Sequence, residues 1–196
     1  RDLRLERIAT FLLFPTHRIL LLVQIHSSAN SSSHFPIPHP TITRGLQSFK
    51  LDHHRLEVIL SKGGIDWVDD SKATNPHAAQ ASLFSNTKSI WIAGGLAKGA
   101  KFEELIDRSH SRIKAAILIG TDRELIAKEL KKHDIDTYFV DFKVGDQIME
   151  QVVKKASELA EPGDTVLLAP ACASMDQFKN YADRGDQFVD AVRRLA

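Results

Sequence analysis

The sequence predicts an α/β fold, a Rossmann-like, doubly wound and mainly parallel sheet with helices on both faces. Two features carry this. From Thr41 onward, short apolar runs alternate with segments of helical periodicity, and the breaks between them hold glycine, proline and helix-capping residues. Alternation of that kind implies parallel strands joined by right-handed crossovers, with helices covering the sheet.

The elements follow in order. Ile42, Leu46 and Phe49 lie at i, i+4 and i+7, the apolar face of a short helix. Residues 56–60 and 65–68 are strand-like and joined by Lys62-Gly63-Gly64, so they read as a hairpin. Asn75-Pro76 offers an N-cap and a first-position proline for a helix running to about Phe84. Residues 89–93 read as a buried strand, followed by a glycine-rich loop and a helix over about 102–109. Residues 115–119 are the next strand, and Thr121 with Glu124 predicts a capping box for the helix after it. A strand at 138–140 precedes a helix at 146–159 whose apolar positions are Ile148, Val152, Ala156 and Leu159. Pro162-Gly163-Asp164 turns the chain into a strand at 165–169. Ser174 with Gln177 reads as a second capping box, opening a terminal helical region that ends with Val189, Val192 and Leu195.

Composition excludes several classes. The 26 basic and 25 acidic side chains nearly cancel, which gives no electrostatic case for nucleic acid or an anionic membrane. Cys172 is the single cysteine, so no internal disulfide is possible. The first residue is Arg1, which reads as a processed chain or a fragment. A basic start, the apolar residues 8–14 and the small residues 27–29 mimic a secretion signal, but Asp2, Glu6 and Pro15 interrupt it. No apolar run approaches the roughly twenty residues that span a bilayer. The expectation is a cytoplasmic monomer. Nine histidines invite a metal reading, yet there is no H-E-x-x-H or C-x-x-C.

In a doubly wound sheet, ligands bind outside the carboxyl ends of the strands. That directs attention to the loops at 69–75, 94–101, 120–123 and 170–176. Asp69-Asp70-Ser71-Lys72-Ala73-Thr74-Asn75 gathers two carboxylates, a lysine and two hydroxyls ahead of a helix amino terminus. Such termini favour anions, and Lys72 adds a charge-assisted bond. From spacing alone, Asp70, Ser71 and Thr74 as mere turn and cap residues explain the loop slightly better. Gly94-Gly95-Leu96-Ala97-Lys98-Gly99-Ala100 has the glycine spacing of a P-loop but Ala100 where its lysine belongs. Lys98 there is either a ligand cation or a solvated one. Ser174 stands at an expected helix start, where it caps or holds a carboxylate. Cys172 has no histidine partner and reads as a small packing residue.

Taken in order, these segments resemble the third domain of the Mur ligases that add D-glutamate to UDP-N-acetylmuramoyl-L-alanine. The resemblance rests on His54-Arg55-Leu56-Glu57, on Trp67-Val68-Asp69-Asp70-Ser71-Lys72-Ala73-Thr74-Asn75, on Ala93-Gly94-Gly95 with Lys98 and Gly99, and on Pro162-Gly163-Asp164. It closes on Leu168-Ala169-Pro170-Ala171-Cys172-Ala173-Ser174-Met175-Asp176-Gln177-Phe178-Lys179-Asn180 and covers residues from about 41 to the end. It implies a three-domain, ATP-dependent enzyme of peptidoglycan-precursor synthesis. The first domain holds the UDP moiety, the central one holds ATP and Mg²⁺, and the third brings the amino acid. The substrate carboxylate is activated as an acyl phosphate, which the glutamate amine attacks. By resemblance, Lys72, Thr74, Lys98 and Ser174 hold the carboxylates of D-glutamate, and Met175 and Tyr181 line its pocket. Arg55 and Asp70 correspond to residues that touch ATP. No residue of this chain is implied to be a metal ligand or a covalent catalyst.

The chain departs from that pattern in two places. The family's Gly-Leu-Pro-His-Arg turn is here Leu51-Asp52-His53-His54-Arg55. Residues 1–40 show neither a P-loop nor the central-domain lysine, and end in serines and the closely spaced Pro36, Pro38 and Pro40. They read as an irregular segment, a truncated or mis-translated remnant of the central domain, with residues 41–196 as the glutamate-binding domain. On that reading the isolated chain is inactive. The competing readings are a non-catalytic module for an acidic amino acid or nucleotide, and a folded remnant with no role of its own.

Overall fold

The computed structural model describes residues 52–141 and 147–195. The helix expected around Ile42 to Phe49, residues 1–40 and Asp146 lie outside them. β1 (Glu57–Lys62) and β2 (Ile65–Asp69) form the expected antiparallel hairpin. Gly63 and Gly64 turn it with φ of 63° and 78°, a pair of positive angles whose twist matches that of the flanking strands.

Asn75 then caps α1 (Pro76–Phe84), accepting the Ala78 N–H at 3.0 Å while Pro76 takes the first helical position. The chain continues through β3 (Ser89–Gly94), α2 (Glu103–Ser109), a 3-10 turn (His110–Arg112), β4 (Ile113–Ile119) and α3 (Arg123–Lys131). β5 (Asp136–Phe139), α4 (Ile148–Leu159), β6 (Thr165–Leu168) and α5 (Tyr181–Arg193) complete it. The sheet order is β1-β2-β6-β3-β4-β5, and every pairing beyond the hairpin is parallel. The last strand is thus inserted between the second and third.

Side chains alternate across the pleat, and both faces are covered. Trp91, Ala93, Leu118 and Leu167 pack beneath α1, α2 and α3 with Leu83, Ile106, Ile126 and Leu130. Ile90, Ile92, Ile117 and Leu168 face α4 and α5, meeting Val152, Ala156, Phe188 and Val192. Burial on both faces explains why these strands read as continuous apolar runs. Trp91 is fully buried, and its Nε1–H donates to the Ala169 carbonyl at 2.8 Å, just past the end of β6.

At the amino edge of the sheet, Lys114 Nζ donates to Asp164 Oδ2 and Glu161 Oε2, each at 2.7 Å, and to the Leu159 carbonyl at 3.1 Å. Lys88 Nζ stands 3.4 Å from the other oxygen of Asp164. Burial pushes the Asp164 carboxyl up, but the Lys114 bond and charge outweigh it and hold the group below its ordinary range.

Two expected caps are not formed. The N-cap of α3 is Asp122 rather than Thr121. The Thr121 N–H donates to Asp176 Oδ2 at 2.8 Å, and Asp122 Oδ2 accepts the Ala97 N–H at 2.8 Å. Ser174 begins a single turn, its carbonyl accepting from Gln177 and Phe178, and the terminal helix starts later, capped by Asn180 over Asp183. At Thr121 a bond to another loop takes the N–H that the box would use, and at Ser174 the Gln177 N–H goes to the Ser174 carbonyl instead. Among the described residues no helix is long and apolar enough to cross a membrane.

Candidate functional site

The four loops at the carboxyl edge are stitched to one another through backbone. The Ala171 N–H donates to the Ala73 carbonyl at 2.9 Å, joining the loop after β6 to the loop after β2. Leu96 and Ala173 exchange bonds of 2.9 and 3.0 Å, joining the loop after β3 to that same segment. The Asp122 N–H reaches the Gly95 carbonyl at 3.0 Å, which brings in the loop after β4. Segments far apart in sequence therefore form one continuous rim.

Of the residues expected to bind glutamate, Lys72, Thr74, Lys98, Ser174 and Met175 lie on these loops, and Tyr181 opens α5. Lys72 is partly buried, with its Nζ 5.8 Å from the centre of the Tyr181 ring, within cation–π reach. The same ammonium donates to Asp52 Oδ2 at 2.6 Å. That bond, with the lysine's charge, holds the Asp52 carboxyl below its ordinary range. Thr74 is half-buried and follows in the same turn, its N–H on the Lys72 carbonyl at 2.8 Å. Lys98 is exposed at a φ of 50°, on the loop that pairs with Ala173. Ser174 is buried beside it in sequence, while Met175 is 61% exposed and Tyr181 37%. The loops of Lys72, Lys98 and Ser174 are thus brought together, and Met175 and Tyr181 supply exposed apolar surface.

Arg55 and Asp70 differ from each other. Arg55 is exposed. Asp70 is buried, and its Oδ2 accepts the Ser82 hydroxyl while its carboxylate also receives the Leu56 N–H. Burial pushes its carboxyl above the ordinary range, against those two bonds. Its carboxylate therefore anchors the residue next to Arg55 from inside. His54 is also buried, with Nδ1 2.6 Å from Asp69 Oδ2. Asp69 is fully buried, its other oxygen accepts the Ser71 N–H at 2.8 Å, and burial raises its pKa.

Sequence reasoning missed Arg184. It is fully buried in the first turns of α5, where its guanidinium bonds to Ser71 and Cys172. Burial pulls it down to about 10. The signal was present: Arg184, Phe188 and Ala191 share one helical stripe. Cys172 is the buried packing residue expected, its thiol pushed up to about 12 by burial. Among the described residues no group of three or more His, Cys, Asp or Glu is arranged to hold a metal ion.

The rim can hold a small anion. Its loops carry two lysines, and the Lys72 ammonium already holds a carboxylate, that of Asp52.

Comparison with known proteins agrees with the geometry. The chain is 49% identical over 162 residues to the UDP-N-acetylmuramoylalanine–D-glutamate ligase of Streptomyces avermitilis, covering 82% of this chain and 35% of that protein. It is 42% identical over 184 residues to the ligase of the same name from Mycobacterium avium, covering 80% and 38%. The chain therefore spans little more than a third of the length of these relatives. A solved structure, the UDP-N-acetylmuramate-alanine ligase of Thermotoga maritima, shares the fold with a TM-score of 0.52 at 14% identity, over 78% of this chain and 33% of that one. Residues 54–172, which include β1 to β6 and the whole rim up to Cys172, match the family model described as Mur ligase, glutamate ligase domain. The chain belongs to the Mur ligase family through that domain.

Proposed function

We propose that residues 41–196 are the glutamate-binding domain of a cytoplasmic, monomeric ligase that joins D-glutamate to UDP-N-acetylmuramoyl-L-alanine at the expense of ATP. One observation carries the reading: the loops bearing Lys72 and Thr74, Lys98, and Ser174 are hydrogen-bonded into a single rim. D-glutamate brings two carboxylates and an amine, and two cations with hydroxyl and backbone donors match that charge. The Lys72–Asp52 pair is exposed to solvent on the aspartate side, where the side chain is 67% exposed, and such pairs are worth little. A ligand carboxylate exchanging for Asp52 keeps Lys72 neutralised. Met175 and Tyr181 then flank the ligand's methylene groups. These assignments follow the family resemblance, and the names of the relatives support the choice of D-glutamate.

ATP is proposed to meet this domain at Arg55, an exposed cation suited to a phosphate. Asp70 would serve it from beneath, through the Leu56 N–H. The described residues offer no donor set for Mg²⁺. In the family, holding ATP and Mg²⁺ falls to the central domain. There the nucleotide activates the substrate carboxylate, and the role proposed for this chain is to present the amine nucleophile in position.

Substituting Lys98→Ala tests the reading. D-glutamate binding should weaken by about tenfold, the value of one charge-assisted contact, with ATP binding affected less. Calorimetric titrations of both ligands measure this, and an unchanged glutamate affinity refutes the assignment.

A further inference from the structure

α5 places an arginine where an apolar residue would otherwise pack. Burying a guanidinium is costly unless its donors are met. Each guanidinium nitrogen of Arg184 donates once, to a neutral acceptor, so three of its five N–H groups are met. Nε donates to Ser71 Oγ at 3.0 Å, Nη2 to the Ser71 carbonyl at 2.9 Å, and Nη1 to the Cys172 carbonyl at 3.2 Å. None of these partners is a carboxylate, so the group is not held as one half of an ion pair. What the three bonds share is geometry. Ser71 precedes Lys72, and Cys172 lies two residues before Ser174. Ser71 Oγ passes the linkage on, donating to the Tyr181 carbonyl at 2.6 Å. The Ser71 N–H extends it to Asp69, and Asp69 to His54, whose carbonyl accepts the Lys72 N–H at 3.1 Å. A single planar fork thus brackets the segments that carry Lys72, Ser174 and Tyr181.

We infer that Arg184 is a positioning residue that sets the spacing of Lys72, Ser174 and Tyr181, so that affinity for a dicarboxylic amino acid depends on its fork and not on its charge. The inference rests on the glutamate-binding reading above. A lysine keeps the charge but concentrates its donors at one point and cannot span two loops. Arg184→Lys therefore separates fork from charge. Ser71→Ala removes only the hydroxyl shared by Arg184 and Tyr181, and it decides the matter should the lysine variant fail to fold.

Both variants are compared with the 196-residue chain by amide hydrogen exchange and by titration with D-glutamate, with Lys98→Ala as the reference for the site. The expected result is faster exchange at the Ala171 and Ala173 amides, unchanged exchange in β3 and β4, and D-glutamate binding about tenfold weaker per folded molecule. Unaltered exchange overturns the inference whatever the ligand does. Faster exchange with undiminished affinity overturns it too when Lys98→Ala still weakens binding, and leaves the glutamate reading standing. If the unsubstituted chain takes up no D-glutamate, that reading falls and takes the ligand half of the inference with it.

Discussion

Gly95 stands where the loops after β3 and β6 approach closely. Its φ is 131°, and a Cβ there would lie 2.1 Å from the Ala173 carbonyl oxygen, the acceptor of the Leu96 bond. Gly95→Ala should destabilise the chain by roughly 2 kcal/mol or more, since both the backbone angle and the contact are violated. It should also weaken D-glutamate binding, because the loop of Lys98 loses its register with Ser174. Urea unfolding and ligand titration measure the two effects, and wild-type values in both would refute the role given to this contact. At this scale the sequence was most readable where polar residues crowd a strand-to-helix loop. Lys72, Lys98 and Ser174 drew notice by their place in strand-to-helix loops, but their role, with that of Thr74, came from the family resemblance and not from spacing. Asp70 was harder to read: a carboxylate in the same loop turns inward to Ser82, and nothing in its neighbours' spacing shows which way it faces. Arg184 was missed because helical arginines are usually solvated.

Helices and strands were legible in type and less so in their ends. The pair Asn75-Pro76 marked the start of α1 correctly because its cap is local, with acceptor and donor three residues apart. The box at Thr121 failed because its N–H is taken by Asp176 from a distant loop, and the one at Ser174 because the Gln177 N–H closes a turn on the Ser174 carbonyl. Strand β5 begins at Asp136, earlier than its apolar residues announce. The network around Lys114, which joins β4 to the turn before β6, allows an element-level test. Asp164 is held below its ordinary value of 3.8, so it contributes stability that is present above that pH and lost as pH falls through its folded value. Lys114→Met removes the chief lowering cause and should cost roughly 1–3 kcal/mol at neutral pH, with the difference shrinking at an acid pH below 3.8 as Asp164 protonates. Urea melts at the two pH values measure this, and a penalty independent of pH would show that packing, not charge, explains Lys114.

For the molecule as a whole, alternation revealed the class of fold but not the strand order. β6 lies between β2 and β3, a placement set by long-range pairing that no local pattern encodes. The catalytic consequence also belongs to this scale. Phosphoryl transfer needs a cradle for the β- and γ-phosphates and Mg²⁺ ligands. The glycine-rich loop has Ala100 in place of the P-loop lysine. Supplied with UDP-N-acetylmuramoyl-L-alanine, ATP, Mg²⁺ and D-glutamate, the purified chain should release no phosphate above a buffer blank. Turnover abolished by Lys72→Ala would overturn that. Trp91 gives the rim an optical signature. Its indole is sealed inside the core yet bonded to Ala169, the residue that leads into the Pro170 loop. Any motion drawing that loop away from the sheet changes the environment of a chromophore that solvent never reaches. The second tryptophan, Trp67, sits on the opposite face of the sheet against Phe188. The emission of the chain thus carries two separate voices, one from the loop that leads to Ser174 and one from the helix that holds Arg184.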